Sequence, residues 1–215
     1  MKVKNQDVDS DIGRLTIFHL GSKQAGEGIL VFAPVYFSTQ ARAVLDIGTA
    51  DGLWMREVQS SPPSPPGGEH TFLGTDINAS YFPCATKNIA YLRQDIKDPI
   101  PQPWHNTFDL VNLRMVLIAA GPHAAQRAVV AEHIKALKPG GWIQIGDCER
   151  VCPTPEAENP RYHDMWACVR AACRAAGLDA RKPRRFRAWL EDAGLEEVQE
   201  RTSMRSWADL GYRRI

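Results

Sequence analysis

Short apolar runs alternate along this chain with stretches of helical periodicity, and glycine and proline punctuate them. A run of about four to eight apolar residues bounded by turn residues reads as a buried strand, and a longer stretch repeating every three to four residues reads as a helix. On that rule residues 43–47 (AVLDI) form a first strand ended by Gly48, and a helix follows over about 52–59. Proline and glycine in residues 60–68 (SSPPSPPGG) forbid regular structure. That segment reads as a surface loop, because a second strand follows at once at 71–75 (TFLGT). Residues 89–92 and 108–113 (FDLVNL) supply a third and a fourth strand. A helix over 124–137 is closed by Lys138-Pro139-Gly140-Gly141, and residues 142–145 make a fifth strand. Helices over 160–176 and 184–193, each stopped by a glycine, precede a last strand near 197–201.

This order predicts an α/β fold: one doubly wound, mostly parallel sheet with helices on both faces and ligands at the carboxyl ends of the strands. Residues 41–215 form that domain, and residues 1–40 read as an N-terminal cap segment. In the cap, Leu15, Phe18, His19 and Leu20 line one face of a short helix, and GILVFAPV adds a further apolar segment that could equally serve a partner interface.

Composition narrows the function classes. The chain has 215 residues, enough for one sizeable core, and 26 basic against 25 acidic residues leave a net charge of +1. That balance argues against nucleic acid or a membrane surface as an obligatory partner. No apolar run reaches the roughly 18 residues needed to span a bilayer. The polar N-terminus lacks the apolar stretch of a signal peptide, so a cytoplasmic protein, with the nucleus as a second address, is expected. Five scattered cysteines fit free thiols rather than a disulfide framework. Cys148, Cys152, His163 and Cys168 match no familiar zinc spacing, so no metal is expected.

Chemistry concentrates at the strand ends. In Asp46-Ile47-Gly48-Thr49-Ala50-Asp51-Gly52 a carboxylate ends a buried strand and a small-residue turn leads into a helix, which lets a ligand approach the backbone closely. The spacing differs from the G-x-G-x-x-G loop of dinucleotide sites, and no Tyr-x-x-x-Lys dyad is present, which disfavours a nicotinamide oxidoreductase. Asp76 ends the second strand, where it can accept both hydroxyls of a ribose while Ile77 covers an adenine face; the alternative is a carboxylate capping the next helix. Gln94-Asp95-Ile96 follows the third strand, placed for an adenine amino group or for a simple turn. Asn112 and Arg114 end the fourth strand, with Arg114 either beside the ligand or a structural ion-pair partner.

Together these positions resemble the class I S-adenosylmethionine-dependent methyltransferases over residues 43–201, which implies a Rossmann-like sheet. The resemblance implies S-adenosyl-L-methionine as cofactor. It implies Asp46, Gly48, Ala50 and Gly52 around the methionine portion, with Asn112 nearby, Asp76 and Ile77 at the ribose, and Asp95 and Ile96 at the adenine. Ala50 stands where that family usually has glycine. LKPGGW, residues 137–142, is similar to the family's turn before the fifth strand. A narrower likeness, carried by DIGTADGLW, GTDIN, NIAYLRQDI and LEDAGLEEVQER, is to the fungal LaeA-like (UMTA-type) methyltransferases of secondary metabolism. That group usually has histidine where Asn112 stands, and the seventh, reversed strand of the fold is expected to be short or missing here.

Methyl transfer needs proximity, orientation and exclusion of water more than a dedicated catalytic group. His123, after the fourth strand, and His19, on the cap, are the candidate bases, each weighed against an ordinary packing histidine. Trp54, Tyr36, Tyr81, Phe82 and Trp104 are candidate walls of an acceptor pocket or core anchors. The expected partner is a small-molecule methyl acceptor. The alternative is a non-catalytic, regulatory protein that works through a protein partner or as a homodimer, to which the basic run Arg181–Arg187 would suit.

Overall fold

The computed structural model describes residues 3–61, 65, 68–148, 155–178 and 185–202, with residues 3–7 as backbone alone. Five strands, β1 (Ala43–Ile47), β2 (Thr71–Asp76), β3 (Ile89–Arg93), β4 (Phe108–Arg114) and β5 (Leu137–Gly146), lie in the order β3-β2-β1-β4-β5. Every neighbouring pair is parallel. The chain winds outward in one direction from β1 and in the other from β4, so a crevice opens at the carboxyl ends of those two strands.

Among the described residues five α-helices accompany the sheet: α1 (Val3–Ala25), α2 (Leu53–Ser60), α3 (His123–Ile134), α4 (Pro160–Ala175) and α5 (Phe186–Asp192). Side chains alternate across the strands and divide the core in two. On one face Leu45, Ile47, Val111 and Leu113 pack against Val129 and Val130 of α3 and Phe186 and Trp189 of α5. On the other, Val44, Leu110, Phe72 and Ile89 pack against Trp54, Met55 and Val58 of α2. Each such buried side chain contributes about 1.5–3 kcal/mol. Leu30, Val31, Ala33 and Val35, in an irregular segment, pack against this second core. The Trp54 indole N–H donates to Leu30 O at 3.1 Å and so ties that segment down.

Four details depart from the sequence expectation. α1 spans 23 residues, longer than the expected short helix, and Leu20 is 50% exposed instead of sharing the inner face with His19. β5 begins at Leu137, not Trp142, because Leu137 already pairs with Phe108. A register shift between Phe108 and Leu110, with Gly140 at φ +75°, absorbs Lys138–Gly141 inside the strand. α3 correspondingly ends at Ile134. Residues 197–202 form no strand, and β5 is the last strand among the described residues. Most of the 60–68 loop, Arg181–Arg184 of the basic run and Cys152 lie outside the described residues.

Candidate functional site

The crevice is built around the turn between β1 and α2. Gly48, Ala50 and Gly52 all take positive φ, at 72°, 53° and 73°, so the backbone folds back on itself in five residues. A Cβ on Gly48 would collide with the Val116 side chain, and one on Gly52 with the Tyr91 hydroxyl. Ala50 tolerates the left-handed conformation at a cost of about 1–2 kcal/mol.

The turn uses up its own donors. The N–H groups of Gly48 and Thr49 donate to Thr75 O at 2.8 and 2.9 Å, and that of Gly52 donates to Thr49 O at 2.9 Å. Ala50 N–H donates to Asp76 Oδ2 at 3.0 Å, and Leu53 N–H donates to Asp51 Oδ1 at 3.2 Å. With Asp51 over the start of α2, this turn is acidic and poor in free N–H groups. A pyrophosphate needs the opposite.

Asp76 faces the turn from the end of β2. Its Oδ1 accepts from Asn78 N–H at 2.9 Å and its Oδ2 from Ala50 N–H. One acceptor position remains on each oxygen, matching a vicinal diol. Ile77 beside it is 54% exposed, and so is half of Leu92 on β3, giving a small apolar shelf. Asp95 Oδ1 accepts from Lys97 N–H at 3.0 Å, and its Oδ2 lies 3.5 Å from Lys97 Nζ, so Asp95 is engaged in its own turn. Ile96 packs against the α3-side core.

Beneath the turn a polar row crosses the sheet at one register: Asp46, Asn112 and Gln144. Asn112 Nδ2 donates to Asp46 Oδ1 at 2.8 Å, and Gln144 Nε2 donates to Asn112 Oδ1 at 3.2 Å and Leu30 O at 3.0 Å. Burial pushes the Asp46 carboxyl above the usual carboxylate range, against the Asn112 hydrogen bond and the nearby Thr49 hydroxyl, which favour its ionised form. Asn112 is fully buried, with both ends of its amide spent inside the protein; it touches Asp46 rather than the crevice.

α1 closes the crevice from above. Leu15, Phe18, His19 and Ser22 line it opposite Asp46, Gly48, Thr49 and Ala50, with Arg114 and Met115 at the end of β4. Lys23 Nζ meets Glu57 of α2 at 2.7 Å, and the Tyr81 hydroxyl donates to Asp11 Oδ2 at 3.0 Å, which pins the helix at two points. His19 is 3% exposed. Its Nδ1 lies 2.8 Å from Arg114 Nη2 and its Nε2 lies 3.1 Å from Glu57 Oε2. Burial, then the Arg114 charge, holds the imidazole below its ordinary pKa, against the pull of Glu57.

Asp46, Gly48, Ala50 and His19 line one crevice, Gly52 belongs to the same turn, and Asp76, with Ile77 next to it, is joined to that turn through Ala50 N–H. His123 is placed apart, at the start of α3, with its ring edge-on to Trp189 at 6.0 Å. Trp54 is a buried anchor, Phe82 stacks on Tyr91, and Trp104 lies edge-on to Phe108. Among the described residues no group of three histidine, cysteine or acidic side chains is placed to hold a metal ion. No helix among them is long and apolar enough to cross a membrane. Sequence reasoning missed Glu57, Gln144 and Met115. Only the register of Gln144 with Asn112 could have drawn attention to any of them.

No protein-family model matches the chain. Among curated proteins it is 34% identical over 175 residues to methyltransferase psoC of Aspergillus fumigatus, a match covering 81% of this chain and 62% of that protein. It is 33% identical over 178 residues to N-methyltransferase gliN of the same fungus, covering 81% and 61%. The chain therefore spans about three fifths of the length of these relatives, which do not single out the LaeA-like group. Among solved structures, a chain of the Haloferax volcanii Trm112 methyltransferase activator complex superposes with a TM-score of 0.58 at 19% identity, covering 93% of this chain and 77% of that one. The chain is similar to fungal methyltransferases over about three fifths of their length, and its sheet has a Rossmann-like fold.

Proposed function

We propose that this chain binds S-adenosyl-L-methionine across the carboxyl ends of β1, β2 and β4 and passes its methyl group to a small-molecule nucleophile in fungal secondary metabolism. The observation that carries the reading is Asp76, whose two oxygens each keep one acceptor position beside a turn that has spent the N–H groups of Gly48, Thr49, Ala50, Gly52 and Leu53. That chemistry suits a ribose and a cationic ligand, and it repels a phosphate. A nitrogen acceptor is favoured by the likeness to N-methyltransferase gliN.

In this reading Asp76 holds the ribose hydroxyls and Ile77 covers one face of the adenine. Asp95 and Ile96 border its far edge. Gly48, Ala50 and Gly52 let the amino-acid portion lie against the backbone, and Asp46, fixed by Asn112, turns its remaining acceptor capacity toward an ammonium. The cofactor, once bound, supplies an activated methyl group on a sulfonium. The protein contributes alignment, and α1 over the crevice keeps water out. His123 stands as a second candidate base on the α3 side, outside the crevice lining.

The test is incubation of the chain with methyl-labelled S-adenosylmethionine and a panel of small amines, thiols and hydroxyl compounds, read by mass spectrometry. Labelled acceptor appearing in step with S-adenosylhomocysteine supports the proposal. Binding of a nicotinamide cofactor in place of S-adenosylmethionine would overturn it.

A further inference from the structure

We propose that His19 is the base that takes the acceptor's proton, and that Arg114 occupies its basic nitrogen until the cofactor's carboxylate draws the guanidinium away. The inference deepens the methyltransferase reading and rests on it. An arginine side chain only donates, so the 2.8 Å contact from Arg114 Nη2 makes His19 Nδ1 an acceptor and leaves the ring proton on Nε2. Nε2 then lies 3.1 Å from Glu57 Oε2, an ion-pair distance without hydrogen-bond alignment, on a carboxylate that Lys23 also contacts at 2.7 Å. A carboxylate this close to one ring nitrogen stabilises, through its charge, the cation formed when the other nitrogen takes a proton. His19 therefore has the surroundings of a base, except that its lone pair is in use.

Arg114 is the group with reason to move. It is largely buried, and its hydrogen-bonded partner is a neutral ring instead of a carboxylate. Asp46 and Glu57 act on it only through space. A guanidinium lining a crevice in that state is matched by an incoming carboxylate, which can take two parallel N–H bonds. S-Adenosylmethionine carries one such group, on its amino-acid portion. Transfer of Arg114 to it would free Nδ1 and neutralise the cation that, after burial, does most to depress His19.

The step then balances. The acceptor nitrogen uses its lone pair to form the N–CH3 bond as the S–CH3 bond breaks, and that bond's electron pair stays on sulfur. The surplus proton on the methylated nitrogen passes to His19 Nδ1, and the imidazolium later returns it to water. A base freed only when the cofactor is seated avoids protonating the site before the methyl donor is present.

Two nucleosides test this on the full chain: S-adenosylhomocysteine, which carries the carboxylate, and 5′-methylthioadenosine, which lacks the whole amino-acid portion. The readout is the His19 imidazole titration by nuclear magnetic resonance, assigned with His19→Gln. S-Adenosylhomocysteine should raise the midpoint, while bound 5′-methylthioadenosine should leave it at the value of the free protein. Arg114→Gln should weaken S-adenosylhomocysteine at least about tenfold and leave 5′-methylthioadenosine unchanged. Arg114→Lys, which keeps the charge without the fork, should lie between them. Equal midpoints with both nucleosides bound would overturn the gating while leaving the methyltransferase reading intact. Failure of a folded chain to bind S-adenosylhomocysteine at all would remove both.

Discussion

Two neighbouring rows of the same sheet behave in opposite ways. Ile47, Leu113 and Ile145 share one register and face α3, and all three are apolar up to the strand ends. One residue earlier, Asp46, Asn112 and Gln144 share a register, face α2 and form a hydrogen-bonded chain. Pleating alone separates them. The apolar row closes its face of the sheet as core, and the polar row supports the turn above it and the segment at Leu30. The crevice opens above the polar row, with Asp76 and Arg114 at the neighbouring strand ends.

Breaking each row should give different losses. Leu113→Ala leaves a cavity in the α3-side core and should cost about 2–5 kcal/mol in urea unfolding, with nucleoside affinity nearly unchanged. Asn112→Leu removes the donor to a buried carboxyl and should cost about 1–3 kcal/mol, but should also weaken S-adenosylhomocysteine because Asp46 loses its anchor. If both variants lose stability and affinity in parallel, the two rows do not have separate roles.

Acid should act through buried imidazoles. His19, His70 and His133 all have pKa values held below the ordinary 6.5, chiefly by burial. The unfolded chain then binds more protons than the folded one, so their contribution is complete above about pH 6.5 and is lost as pH falls through the folded values. Asp46, shifted upward, contributes in the opposite sense. Thermal unfolding followed at about pH 7.5 and about pH 5.5 should show a lower Tm at the acid end. A flat profile would mean that these rings accept protons without penalty.

The smallest change sharpens the turn itself. Ala50→Gly relieves an alanine held at φ 53° and should stabilise the chain by up to about 1 kcal/mol, offset in part by the added freedom of the unfolded state. Equilibrium unfolding at matched pH reads it directly.

The five strands and the residues of the polar turn were legible because buried strands need apolar runs and the turn needs small residues. Asp46, Gly48 and Asp76 could be placed from order alone. α1 was legible only in part. Ser22 joins Leu15, Phe18 and His19 on its inner face, while Ile17 and Leu20 are 44% and 50% exposed, so hydrophobic periodicity marks the face only in part. The meeting of Arg114 with His19 joins residues 95 positions apart, and local spacing holds no trace of it. The early start of β5 was hidden by Pro139 and two glycines, which read as a turn and in fact form an irregularity within a pairing strand.

The central claim is that Asp76 holds the ligand of this crevice. Its most direct test is calorimetric titration with S-adenosylmethionine of the unaltered chain, of Asp76→Ala and of Leu113→Ala. The account predicts binding by the first and third and at least about tenfold weaker binding by Asp76→Ala, whose fold should be retained. Equal affinity in Asp76→Ala and the unaltered chain would contradict it.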